Sequence, residues 1–230
     1  MPTVLVTGAN RGVGFALATA YASRGDHVLA TARAPDKAAA LNDVAAKTGR
    51  VRVLALDVTD EAAQHRLSAS LKAEPIDIVI CNSGIMGSRG GIDTPGIDAA
   101  EWARMMATNV TGAFLTARAT LPNVARAKAG KLVFIATMMA SSSRASGDCY
   151  SYRASKAALA NLGLNLSVEL KPKGIAVGIY HPGWVQTDMG GAAAQVTPTD
   201  SAGGLVRRID ALSLATTGVF EDYTGQPFVF

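Results

Sequence analysis

Short apolar runs alternate along the chain with stretches whose apolar residues recur every three to four positions. The first run, Thr3–Val6, leads into Thr7-Gly8-Ala9-Asn10-Arg11-Gly12-Val13-Gly14, and Phe15–Tyr21 leaves it with helical spacing. Further runs predict strands at His27–Ala32, Val51–Leu56, Ile76–Cys81, Lys131–Ala136 and Ile175–Tyr180. Between them the periodicity predicts a helix from about Asp36 to Lys47 and another opened by Thr59 or Asp60. A third carries Trp102, Met105, Met106, Val110 and Phe114 and ends near Pro122. A long helix at Tyr152–Leu170 sets Leu159, Leu162 and Leu166 on one face, and a last one spans roughly Thr199–Ile209. The glycine-rich loop Gly84–Gly96 separates the fourth strand from a helix starting no earlier than Asp98, and Pro227–Phe230 would close a seventh strand.

Strands buried on both faces and alternating with helices imply parallel pairing with right-handed crossovers. The expected fold class is therefore α/β: a doubly wound, Rossmann-type parallel sheet of about seven strands with helices on both faces. Residues 1–230 form a single dinucleotide-binding and catalytic domain in this reading, a length too short for two full domains. Any ligand site would then lie at the carboxyl ends of the strands. The opening turn suits such a site, because glycines let the backbone approach a pyrophosphate that a helix N-terminus attracts.

Composition narrows the partners. The chain is 49% hydrophobic and 17% charged with a net charge of +4 and a pI near 9.2. That mild excess, without a basic block, argues against nucleic acid and suits an anionic cofactor. Cys81 and Cys149 fit neither a metal spacing nor a disulfide framework, and His27, His65 and His181 form no metal-binding pattern, so no metal is expected. His27 and His65 read as surface residues. Met1-Pro2 runs straight into the first strand and no apolar run approaches membrane length, which gives a cytoplasmic protein without a membrane partner as the expectation. Two matches to the glycosylation pattern, at Asn109 and Asn165, are short enough to occur by chance.

The end of the second strand bears on which dinucleotide binds. A carboxylate there would favour NAD, whereas the 2′-phosphate of NADP needs cations. Ala32 is followed by Arg33, with Arg11 in the glycine turn as a second clamp. A carboxylate about 4 Å from a phosphate charge would cost about 4 kcal/mol at an effective dielectric near 20. NADPH/NADP+ is the expected cofactor and NAD the less favoured one, with Asp36 a rival contact. Asp57 either meets the adenine amino group or caps a helix. Asn82 and Gly84 would stabilise the sheet edge beside the adenine ribose, with scaffolding the main role of Asn82.

Tyr152-Arg153-Ala154-Ser155-Lys156 holds a phenol and an ammonium on one helical face, about 5–6 Å apart at Cβ. Tyrosine ionises near pH 10, and lowering that by about three units needs about 4 kcal/mol. A lysine and a positively charged oxidised nicotinamide in a dry site can supply it.

With Thr7-Gly8-x-x-x-Gly12-x-Gly14, Asp57, Asn82-Ser83-Gly84, Asn109, Tyr152-x-x-x-Lys156 and Pro182-Gly183 before Thr187, the chain resembles the short-chain dehydrogenase/reductase family over nearly its whole length. His181–Gly191 and Glu221–Pro227 look like the C-factor and sniffer-type carbonyl reductases. The resemblance implies that Tyr152 protonates a carbonyl oxygen as hydride arrives from the reduced nicotinamide. It implies that Lys156 binds the ribose and lowers the tyrosine pKa, that Asn109 holds a water feeding protons through Lys156, and that Thr187 bonds the carboxamide. Asn10, Val13, Val58, Pro182, Gly183 and Val185 complete the implied cofactor contacts. The family's carbonyl-polarising serine is replaced: Thr137 stands in its place and Ala140 in that of the following glycine, with Ser141 as the fallback.

Met86, Met138, Met139, Trp184 and Met189 would line an apolar substrate pocket under a mobile lid, Gly190–Thr197. The expected activity is NADPH-dependent reduction of a small hydrophobic ketone or aldehyde. An NAD-dependent alcohol dehydrogenase and a dinucleotide-sensing regulatory protein are the alternatives, and the resemblance implies a homodimer or homotetramer.

Overall fold

The computed structural model describes residues 1–230. Seven parallel strands form one sheet: β1 (Thr3–Val6), β2 (His27–Ala32), β3 (Val51–Ala55), β4 (Ile78–Cys81), β5 (Lys131–Ile135), β6 (Ala176–His181) and β7 (Val219–Asp222). Their order is β3-β2-β1-β4-β5-β6-β7. Alternate residues of each strand feed opposite cores, because successive side chains leave a strand on opposite faces. Val4, Val6, Ile78, Ile80, Val133 and Ile135 meet α1 (Gly12–Ser23), α2 (Ala39–Thr48) and α7 (Pro198–Ala211). Leu5, Val79, Leu132, Phe134 and Val177 meet α3 (Glu61–Leu71), α5 (Gly112–Val124) and α6 (Tyr150–Leu170). The remaining helix, α4 (Ala99–Met106), packs against α6. No helix is long and apolar enough to cross a membrane.

The chain reverses direction across the sheet between β1 and β4, and there the crevice opens at the strands' carboxyl ends. Two close approaches hold it. A Cβ on Gly14 would stand 2.4 Å from both the Gly8 carbonyl oxygen and Asn82 Nδ2, so α1 can lie this near β1 only without a side chain. Asn82 bonds back from β4, its Nδ2 donating to Thr7 O at 2.9 Å while Thr7 Oγ1 accepts from the amides of Asn82 and Ser83 at 3.0 Å each.

Several boundaries differ from the sequence reading. The tail Pro227–Phe230 is not the seventh strand. That strand is Val219–Asp222, and the tail folds back along its outer edge, with Phe228 N–H donating to Phe220 O at 2.8 Å. Asp222 causes the reversal, because its Oδ1 accepts from the amides of Thr224, Gly225 and Gln226 and closes a tight turn. The helix expected from Asp36 is a 3₁₀ turn, Pro35–Lys37, then a break at buried Ala38 before α2. α5 does end near Pro122, two residues beyond it at Val124, so the proline sits inside the last turn. Its missing N–H orphans only the carbonyl of exposed Arg118, within reach of water. Asp60, not Thr59, caps α3 by accepting from Ala62 N–H at 2.8 Å.

Gly14→Ala is predicted to destabilise the fold by about 1–3 kcal/mol through overpacking. Urea melting followed by far-UV circular dichroism measures it.

Candidate active site

At the opening turn, Gly8 (φ +64°) and Gly12 (φ +57°) adopt left-handed backbone that other residues resist. The first turn of α1 has no capping side chain and no acidic residue, so its leading N–H groups and partial positive charge face outward. This cradle and donor set fit an anionic pyrophosphate. Arg33 is exposed just past β2, with only Ala32 before it. Arg11 is already engaged, its Nη1 donating to Asp188 at 2.8 Å across the crevice, an exposed pair of small energetic weight. Asp57 Oδ1 accepts from the Thr59 amide and hydroxyl at 3.0 and 2.7 Å, ordering the turn ahead of α3, and buried Val58 packs under α5 against Gly112.

The long helix delivers Tyr152 and Lys156 to the ends of β4 and β5. Both are nearly enclosed, at 6% and 4% exposure. Lys156 Nζ donates to Ile135 O at 2.8 Å and stands 6.0 Å from the centre of the Tyr152 ring. Burial pushes the Tyr152 phenol up to about 12, against a lowering by hydrogen bonding with the Thr137 hydroxyl. Burial pushes Lys156 down to about 8. In the chain by itself Lys156 is not among the groups that lower the tyrosine pKa. Desolvation of the phenolate dominates, and the ammonium is turned toward a backbone carbonyl.

Thr137 and Ser141 separate clearly. Thr137 is buried beside Tyr152, while its Oγ1 accepts from the Met139 amide at 3.3 Å and shapes a 3₁₀ turn. Ser141 donates to the carbonyl of Val229 in the tail and lies 2.8 Å from Ser143 Oγ. Asn109 sits on a π-helical turn, Ala107–Thr111, fully buried. Its Oδ1 accepts from Ile85 N–H at 2.8 Å, and its Nδ2 donates to Ile85 O at 3.0 Å and Ser155 Oγ at 2.9 Å. Both amide hydrogens are thus committed within the chain. A Cβ on Gly84 would stand 3.3 Å from both Asn109 Oδ1 and Lys156 Nζ, so the backbone passes close to both.

After β6, Pro182 O accepts from Ser201 Oγ at 2.6 Å and Gly183 turns at φ +88° beneath Tyr223. Thr187 then reaches Gly12, its Cγ2 lying 3.4 Å from where a Cβ there would be. The segment expected as a lid is braced. Val185 and Val196 form a parallel bridge, and the half-exposed Trp184 donates its indole N–H to Gly190 O at 2.8 Å. Arg89, from the β4–α4 loop, donates to Met189 O at 2.8 Å. Met86, Met138 and Met139 are half-buried at the same end of the sheet. A separate groove of about 530 Å³, lined by Ile92, Ile97, Trp102, Tyr150, Arg153 and Ala154, lies on the opposite side of the first α6 turns. No group of three or more His, Cys, Asp or Glu side chains is placed to hold a metal ion.

Sequence reasoning missed Asp188, Arg89 and Glu101, whose partners lie 177, 100 and up to 50 residues away. It also left His181 unread. This imidazole is buried against Phe228, its Nδ1 has no partner, and burial pushes it down to about 4.

Residues 2–197 match the model of the family described as short chain dehydrogenase. The chain belongs to this family and is an oxidoreductase of it. It is similar to the carbonyl reductase Sniffer of D. melanogaster, 29% identical with a TM-score of 0.93 and all of both chains covered. A carbonyl reductase from chicken fatty liver, solved with NADPH bound, is 30% identical with a TM-score of 0.93, covering 100% of this chain and 99% of that one. The C-signal protein of Myxococcus xanthus is 36% identical over 152 residues, 66% of this chain and 90% of that protein.

Lys156→Met is predicted to raise thermal stability at pH 7. The native ammonium is depressed below its unfolded value, so charged burial opposes folding below pH 8 and the penalty fades as pH rises toward 10.5. Calorimetry should show a Tm gain of about 2–4 °C per kcal/mol relieved, shrinking above pH 8.

Proposed function

We propose that this chain is an NADPH-dependent carbonyl reductase acting on small hydrophobic ketones or aldehydes. The observation that carries the reading is the enclosed phenol of Tyr152, held protonated at neutral pH beside the Thr137 hydroxyl, with Lys156 on the same face of α6. The phenol carries its proton at neutral pH, and its hydrogen bond with Thr137 works against the burial that makes it a weak acid. The reduced dinucleotide supplies, when bound, the hydride that completes the reduction. Tyr152 donates its proton to the carbonyl oxygen, and Thr137 donates a second hydrogen bond that polarises it. Lys156 holds the nicotinamide ribose, Asn109 fixes Ile85 and Ser155 around the pair, and Thr187 orients the carboxamide.

For the cofactor, Gly8, Asn10, Gly12, Val13 and Gly14 cradle the pyrophosphate. Asp57, Val58, Asn82 and Gly84 flank the adenosine, and Pro182, Gly183 and Val185 flank the nicotinamide. The preference for NADP(H) rests on exposed Arg33 following Ala32, with Arg11 nearby. The NADPH-bound chicken enzyme of similar fold supports it. The four methionines and Trp184 give the substrate side its apolar, adaptable character. Two unpaired, buried cysteines accord with a reducing cytoplasm. Exposed Trp102, Met106 and Phe114 on α4 and α5 support self-association as a dimer or tetramer.

NADPH oxidation against a panel of aldehydes, ketones and diketones tests the reading. Tyr152→Phe should keep NADPH affinity and lose about 10²–10⁴-fold in turnover. Thr137→Ala should lose about 10²–10³-fold, Thr137→Ser should retain most activity, and Ser141→Ala should change little. Arg33→Ala should cut the preference for NADPH over NADH by about 10- to 100-fold, the worth of a charge-assisted hydrogen bond. No turnover with any carbonyl, or full activity in Tyr152→Phe, overturns it.

A further inference from the structure

One buried carboxylate has no part in the chemistry above. Glu101, in the first turn of α4, is 4% exposed and makes no salt bridge. Ionised side chains tolerate such burial only when hydrogen-bonded. Both oxygens are engaged. Oε1 accepts from Ser151 Oγ at 2.6 Å, while Oε2 accepts from the Ser88 amide at 2.8 Å and the Ser88 hydroxyl at 2.6 Å. These donors hold the carboxyl below the usual carboxylate range, so it is charged at neutral pH and its bonds are charge-assisted.

The carboxylate joins α4 to two segments that flank the reacting groups. Ser151 immediately precedes Tyr152, and Ser88 lies in the loop after β4, two residues beyond Met86. The junction is tight: a Cβ on Gly87 would lie 2.6 Å from Ser151 Oγ and 2.7 Å from Glu101 Oε1. Asn109 grips the same loop at Ile85 through both its N–H and its C=O. Met86 and Gly87 are thus stretched between two buried clamps, one polar amide and one carboxylate.

We propose that Glu101 is a positioning residue for the carbonyl substrate: it fixes the Met86–Ser88 wall of the pocket at a set distance from the turn that carries Tyr152. The inference rests on Tyr152 being the proton donor. Glu101 touches no reacting atom and acts through Ser88 and Ser151, so its loss weakens substrate placement and leaves cofactor binding intact.

Steady-state kinetics of the full chain, with hydrogen exchange of the loop amides, tests it. Glu101→Gln keeps the side-chain volume but gives up one charge-assisted acceptor. It should raise KM for the carbonyl compound about 10-fold, with kcat within about 3-fold and NADPH affinity unchanged. Ser88→Ala should give a smaller rise and add little on top of Glu101→Gln, because both remove the same clamp. Exchange at the Ser88 amide should quicken about 10-fold while β5 stays protected. Unchanged KM in a folded variant, or equal losses in turnover and NADPH affinity, overturns the proposal. Unchanged exchange at Ser88 overturns it too, even if the parent chain reduces no carbonyl and the activity reading alone has failed.

Discussion

The burial of a phenol and an ammonium on one face of α6 is the constraint around which the site is built. Enclosure acts on both groups by the same physics, disfavouring whichever form carries charge. It raises the Tyr152 pKa and depresses that of Lys156, which leaves the tyrosine a held proton and the lysine a charge with one backbone acceptor. Neither state is comfortable for an isolated domain. An oxidised dinucleotide bound beside them would add positive charge, which favours the phenolate and offsets its desolvation.

The sheet makes that placement possible. Reversal of strand order between β1 and β4 leaves a crevice at the carboxyl ends, and the glycine contacts bring α1, β1 and β4 close enough to share it. Asn82 ties β4 to the glycine turn, the π-turn of Asn109 ties the next loop to α6, and Glu101 ties that loop to α4. Each is a buried or half-buried polar side chain whose hydrogen bonds run to backbone or hydroxyl groups on another element. The rigidity of the site comes from these crossings, since the strands beneath it end before the functional residues begin.

The strand and helix pattern was legible because strands buried on both faces give unbroken apolar runs. The glycine turn, Tyr152 and Lys156 stood out because local spacing carries their meaning. Other features escaped a linear reading. Val219–Asp222 offers only two apolar residues, so the tail Phe228-Val229-Phe230 looked the better strand, although the Asp222 turn makes it an outer layer. The partners of Glu101, Asp188 and Arg89 depend on which loops meet at the crevice, which no local period records. The pKa directions also needed the structure: sequence places an ammonium one helical turn from a phenol but not how much water reaches either.

Spectrophotometric titration of Tyr152, taken as the difference between the chain and its Tyr152→Phe variant, tests the central claim most directly. In the cofactor-free protein the phenol should ionise only near pH 12, and saturating oxidised dinucleotide should bring that transition markedly lower. A Tyr152 that ionises at or below the ordinary tyrosine value without cofactor, or whose transition ignores the dinucleotide, would contradict the account.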